Sequence, residues 1–124
     1  MFECCYVYVQ RKGRWPAYFA RVFGLKVAPF VILRDPNENE IEVAITKKNG
    51  RVYFSDGWEF LQSYYGILVC AWLTLIYANR HLFLMEIRNM HGVELPYPRH
   101  SHPQKLFLHD ERARAYRHST VRYG

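Results

Sequence analysis

The chain has 124 residues, enough for one domain and a tail, and half of them are hydrophobic with 17% aromatic, which excludes a disordered protein. The formal charge of +6 is unevenly spread: residues 1–30 and 96–124 each carry +4, while residues 31–95 carry −2. Three cysteines without a C-x-x-C spacing exclude a disulfide framework or a zinc module and fit reduced, buried thiols.

Tyr and Phe dominate the aromatics, with Val and Ile close behind, so the expected class is mainly β, or α+β. The N-terminal "MFECCYVYVQRKGR" has neither the basic start nor the long apolar stretch of a signal peptide. Within it, "CCYVYVQ" (Cys4–Gln10) reads as a strand, and "RKGR" (Arg11–Arg14) as a basic loop. "WPAYFARVFG" puts Pro16 at the first helical position and Gly24 at the stop. Trp15, Phe19, Val22 and Phe23 then fall on one face of a short amphipathic helix.

"PFVILR" (Pro29–Arg34) reads as a strand ending in the turn "DPNEN". In "EIEVAIT" (Glu40–Thr46) the alternation points Ile41, Val43 and Ile45 inward and Glu40 and Glu42 outward. Asn49-Gly50 suits a tight hairpin, with "VYF" (Val52–Phe54) as the returning strand. Asp56 offers an N-cap with Glu59 as its capping-box partner. Trp58, Leu61 and Tyr65 line the helix that follows, and Gly66 ends it.

Phe60 to Asn79 is a run of twenty uncharged residues, about the length that spans a bilayer. The cap at Asp56 and the stop at Gly66 divide it, leaving Ile67–Ala78 too short to cross as a helix. That remainder and "LFLMEI" (Leu82–Ile87) are expected to be paired strands buried on both faces, and no membrane segment is expected. "RNMHGVELPYP" adds one more short expected strand at Val93–Leu95. Residues 96–124 read as a basic tail or linker, in which Leu106–Leu108 could dock on the domain.

Charge singles out two places. "RKGR" contributes Arg11, Lys12 and Arg14, and "TKKNGR" contributes Lys47, Lys48 and Arg51 around Asn49. Local basic clusters of this kind suit a polyanion better than a diffuse excess does.

The order of strand, basic loop, short helix, three strands around a basic hairpin, "GW" helix and two apolar strands resembles the plant B3 DNA-binding domain. The resemblance covers about residues 3–88. It rests on "WPAYFA" (Trp15–Ala20), "VILRD" (Val31–Asp35), "VYFSDGWEFLQ" (Val52–Gln62) and "LTLIYANRHLFLMEI" (Leu73–Ile87). The chain departs from the family in having Cys70-Ala71 where Gly-Asp is common, no Trp in Glu40–Thr46, and a shorter first loop. The resemblance implies a seven-stranded open β-pseudobarrel with two short helices over residues 1–95, and two arms that clasp the major groove of double-stranded DNA. Carried over, the first arm is Arg11, Lys12 and Arg14, and the second is Lys47, Lys48, Asn49 and Arg51. A nuclear transcription regulator follows, with other transcription factors as further partners. The alternative is a B3-like module that binds protein.

Arginine grips guanine bidentately and asparagine does so with adenine, whereas lysine serves phosphates. Arg11, Arg14, Asn49 and Arg51 are therefore the base-reading candidates, and Lys12, Lys47 and Lys48 the phosphate clamps. Asn49 also has a plain backbone role before Gly50, and the lysines also suit a solvated hairpin tip. Trp15, Trp58 and Trp72 read as core. His100, His102, His109 and His118 lack a ligand spacing, and no base or oxyanion motif accompanies Cys4 or Cys5, so neither a cofactor nor an enzymatic activity is expected.

Overall fold

Period-two alternation of apolar side chains dictates most of this fold, and the sheet it builds is open and curled. The computed structural model describes residues 3–10, 13–67 and 70–108. Its elements are β1 (Glu3–Gln10), α1 (Ala17–Phe23), β2 (Phe30–Arg34), β3 (Glu40–Lys48), β4 (Arg51–Phe54), α2 (Trp58–Tyr65), β5 (Cys70–Asn79), β6 (Leu82–Arg88) and β7 (Lys105–Leu106). Six strands follow one path, β1-β5-β6-β2-β3-β4, and the two-residue β7 pairs with β3 beside it. The class is mainly β with two helices, as expected. The strand path counts six, however, and Val93–Leu95 is not the seventh strand. That stretch makes a single bridge, Arg88 with Glu94, because the turn at Asn89–Val93 folds it straight back onto β6.

The uncharged run from Phe60 to Asn79 divides between α2 and β5. No helix among the described residues is long and apolar enough to cross a membrane. In β6 every second residue is buried, while in β5 Ala71, Leu73 and Leu75 are buried and Trp72 is 41% exposed. These strands are thus covered on one face more than the other, and Trp72 is not core. The core gathers Trp15, Phe19, Phe23, Phe54, Phe83 and Leu61 between sheet and helices. Val22 is exposed, since α1 is only seven residues long and its buried stripe runs through Phe19 and Phe23. The expected capping box also fails to form. Gly57 takes the N-cap position at φ 93°, without a side-chain cap, because the preceding turn closes through a backbone bond from Trp58 N–H to the Ser55 carbonyl.

A buried carboxylate fixes the end of the sheet at the β2–β3 turn. Asp35 accepts the backbone N–H of Asn37 (2.7 Å) and of Asn39 (3.1 Å), the Asn39 carboxamide (2.9 Å) and the Tyr65 hydroxyl (2.9 Å). Charge buried without such donors is costly, and these four satisfy it. Burial, and then the Asp35 charge, push the Tyr65 phenol far above its ordinary range. Burial and a bond to Glu94 do the same for Tyr97.

The same turn holds the chain beyond residue 95. Asn39 donates to the Pro98 carbonyl (2.7 Å) and accepts from Gln104 N–H (2.9 Å), and Asn37 donates to the Tyr97 carbonyl (3.1 Å). Leu106 and Leu108 are buried, and Leu108 N–H donates to Glu42. Residues 97–108 are therefore a strap on the domain rather than a linker, and the packed unit runs past the expected boundary at 95. Residues 109–124 lie outside the described residues. The strap also explains why Glu40 is buried, contrary to its expected outward place. Its carboxylate meets Arg34 at 2.7 Å and Lys105 at 3.3 Å.

Two outcomes follow. Leu106→Ala is expected to lower unfolding free energy by about 2–4 kcal/mol in urea titration, whereas the same change in a linker would leave it unmoved. A phenol whose pKa rises on folding contributes stability in full below its unfolded value of 10.0 and loses it as pH climbs further. Stability should therefore fall above pH 10, and Tyr65→Phe should flatten that fall while costing about 1.5–3 kcal/mol at neutral pH.

Candidate nucleic-acid interface

Two basic loops distant in sequence meet along the outer edge of β4. Residues 13–15 run antiparallel to it. Phe54 N–H donates to the Gly13 carbonyl (2.8 Å), Trp15 N–H donates to the Val52 carbonyl (2.8 Å), and Arg14 bridges Tyr53. Paired residues share a face of the pleat, so Arg14 stands with Tyr53 and Trp15 turns inward with Val52. Trp15 then packs on Phe19 at 4.5 Å and Phe54 at 5.2 Å between ring centroids, and Phe54 stacks on Trp58. Gly13 is required here: it sits at φ 74°, and a Cβ would lie 2.5 Å from the Phe54 carbonyl oxygen.

The hairpin β3–β4 supplies the other loop. Lys48 faces Arg51, and Lys47 faces Val52. Asn49 and Gly50 close the turn at φ 53° and 73°, the left-handed pair that a two-residue hairpin demands. Asn49 thus performs the backbone role, and its exposed carboxamide is left outside the turn. Residues 46–51 are all exposed, so the tip stands clear of the sheet. Like charges placed opposite each other, as Lys48 and Arg51 are, weaken a strand pair, so stability does not account for them.

Of the seven residues expected at the interface, Arg14, Lys47, Lys48, Asn49 and Arg51 are brought to one end of the sheet, and Arg11 and Lys12 lie outside the described residues. A cleft of about 430 Å³ opens where the chain leaves β4 at Trp15 and turns into α1. Arg14, Asn49 and Arg51 line it, together with Arg21 of α1, which charge clustering along the sequence did not single out. Its signal was helical spacing: Ala17, Ala20 and Arg21 form the stripe opposite the buried Phe19 and Phe23. Among the described residues no carboxylate lines the cleft, and Arg14, Arg21 and Arg51 make no ion pair.

Other residues weighed on the sequence lie elsewhere. His100 hydrogen-bonds Tyr64 at 3.3 Å, and no group of three or more metal-ligating residues occurs among the described residues. His109 and His118 lie outside them.

No family model matches the chain, and no curated protein matches it. Among solved structures, that of a hypothetical Arabidopsis thaliana protein is similar, with a TM-score of 0.54 at 20% identity over 70% of this chain and 92% of that one. At this identity the likeness shows a shared fold.

Gly13→Ala is expected to cost about 1–3 kcal/mol through backbone strain and close approach. Hydrogen exchange would read it locally, as lost protection of the Phe54 and Trp15 amides ahead of those in β5 and β6.

Proposed function

We propose that the chain is a sequence-specific reader of double-stranded DNA, a nuclear transcription regulator built as an open pseudobarrel of the plant B3 type. The observation that carries this reading is the convergence at one sheet end of the exposed Arg14, Lys47, Lys48 and Arg51, with Arg14 and Arg51 on a cleft that no carboxylate lines among the described residues. Charge concentrated this way on two projecting loops suits a duplex whose backbone lies to either side of a groove.

Roles follow from side-chain chemistry. Lys47 and Lys48 leave opposite faces of the hairpin, so each suits a different strand's phosphates. Arg51 and Arg14 carry planar forks able to meet guanine O6 and N7 together. The Asn49 turn uses only backbone torsions, which leaves its carboxamide available to adenine. The B3 resemblance also assigns Arg11 and Lys12 to the first arm.

A second reading, a protein-binding module that works with other transcription factors, is favoured by the exposed Met90 and Val93 on the turn after β6. Selection from a randomised duplex pool separates the two. The DNA reading expects enrichment of one short motif, its loss in Lys47→Ala/Lys48→Ala/Arg51→Ala, and a salt slope for that variant reduced by about 2–3. Absence of retention even at low salt would overturn it in favour of the second reading.

A further inference from the structure

Arg21 belongs to neither basic loop, yet it shares a cleft with one guanidinium from each. Arg14 comes from the strand-like segment 13–15, Arg51 from the start of β4 and Arg21 from the last turn of α1. Three permanently charged forks around one concavity repel each other, and among the described residues no carboxylate on the cleft wall offsets them. The ordinary reason for an Arg in a helix's last turn is the helix dipole, which needs no neighbouring cations. The small side chains of Ala17 and Ala20 keep the helix wall low below Arg21, so the space between the forks stays open. The inner wall includes Trp15, whose buried indole N–H has no hydrogen-bond partner among the described residues.

We propose that this cleft seats a single phosphate group, gripped by Arg14 and Arg51 and completed by Arg21. A tetrahedral oxyanion offers each fork a pair of oxygens, and its charge relieves the mutual repulsion of the three cations. Resting on the DNA reading above, the phosphate is one phosphodiester of the duplex backbone, and α1 becomes a third point of contact beside the two arms. Arg21 then fixes the register in which the arms enter the groove, since backbone contacts position a protein without reading sequence. The cleft's chemistry alone would also accept inorganic phosphate, and the experiment separates the two sources.

In the first arm, the full chain binds a labelled duplex across a salt series, with Arg21→Gln, Arg21→Lys and the remote Arg80→Gln compared. The proposal expects Arg21→Gln to reduce the slope of log affinity against log salt by about 0.9, with Arg21→Lys and Arg80→Gln leaving it close to the parent value. In the second arm, inorganic phosphate is titrated while the Trp15 indole N–H and the Arg21 side-chain signals are followed by NMR. Saturable shifts that vanish in Arg21→Gln uphold the seat, including in the case where no duplex binds and the DNA reading itself fails. A slope unchanged by Arg21→Gln, together with flat NMR signals, would overturn the proposal even if the duplex binds tightly through the two arms.

Discussion

The pairing of residues 13–15 along the outer edge of β4 is the constraint on which the rest of the charged end depends. Without it the first basic loop and the β3–β4 hairpin would be two independent projections, far apart in sequence and free to diverge. Two backbone hydrogen bonds and one bridge join them, and the inward turn of Trp15 plugs the joint into a column of Phe19, Phe54 and Trp58. Aromatic packing of that kind resists sliding along the strand, because a slip by one residue would turn Trp15 to solvent and Arg14 to the core. The same joint sets where α1 departs and therefore where the cleft lies.

The molecule divides its electrostatic tasks between two ends. Around the β2–β3 turn, charges are buried and answered: Asp35 by four donors, Glu40 by Arg34 and Lys105. Around the β3–β4 hairpin, charges are exposed and make no ion pair among the described residues. A paired and partly buried network keeps one fixed geometry, which gives β3 a firm root near Glu40. The far end of the same strand can then carry repelling cations without unravelling. One nine-residue strand thus connects a region of answered charges to one whose cations make no ion pair among the described residues.

How much of this was legible in the sequence differs by element. Strands with alternating residues, the Asn49-Gly50 turn and the apolar stripe of α2 declare themselves, because each is decided by local torsions or a local period. Of the strap only the docking apolar patch Leu106–Leu108 was legible, since the rest of its hold depends on the backbone carbonyls of Tyr97 and Pro98, which any residue would offer at those places. Glu40 looked outward because alternation says nothing of a lysine arriving from the far end of the chain. Trp72 looked buried by its type, but its position on β5 places it on the outer face. At the candidate site, clustering along the sequence found the residues of the two loops and missed Arg21, whose neighbours in space come from three different segments.

The topology has a consequence for how the chain reaches this state. Glu3 of β1 lies opposite Tyr77, the contact of β2 with β6 is parallel, and so is that of β3 with β7. Only β2–β3, β3–β4 and β5–β6 join consecutive strands, so the other three pairings wait on distant segments, and that contact order slows folding. During synthesis the β-prone first strand has no partner until β5 has been made, a period in which it can pair wrongly with another chain. The basic hairpin, by contrast, is complete early and locally. Its like charges then lend the unfinished chain mutual repulsion between copies, a safeguard against association in the interval before the first strand is covered.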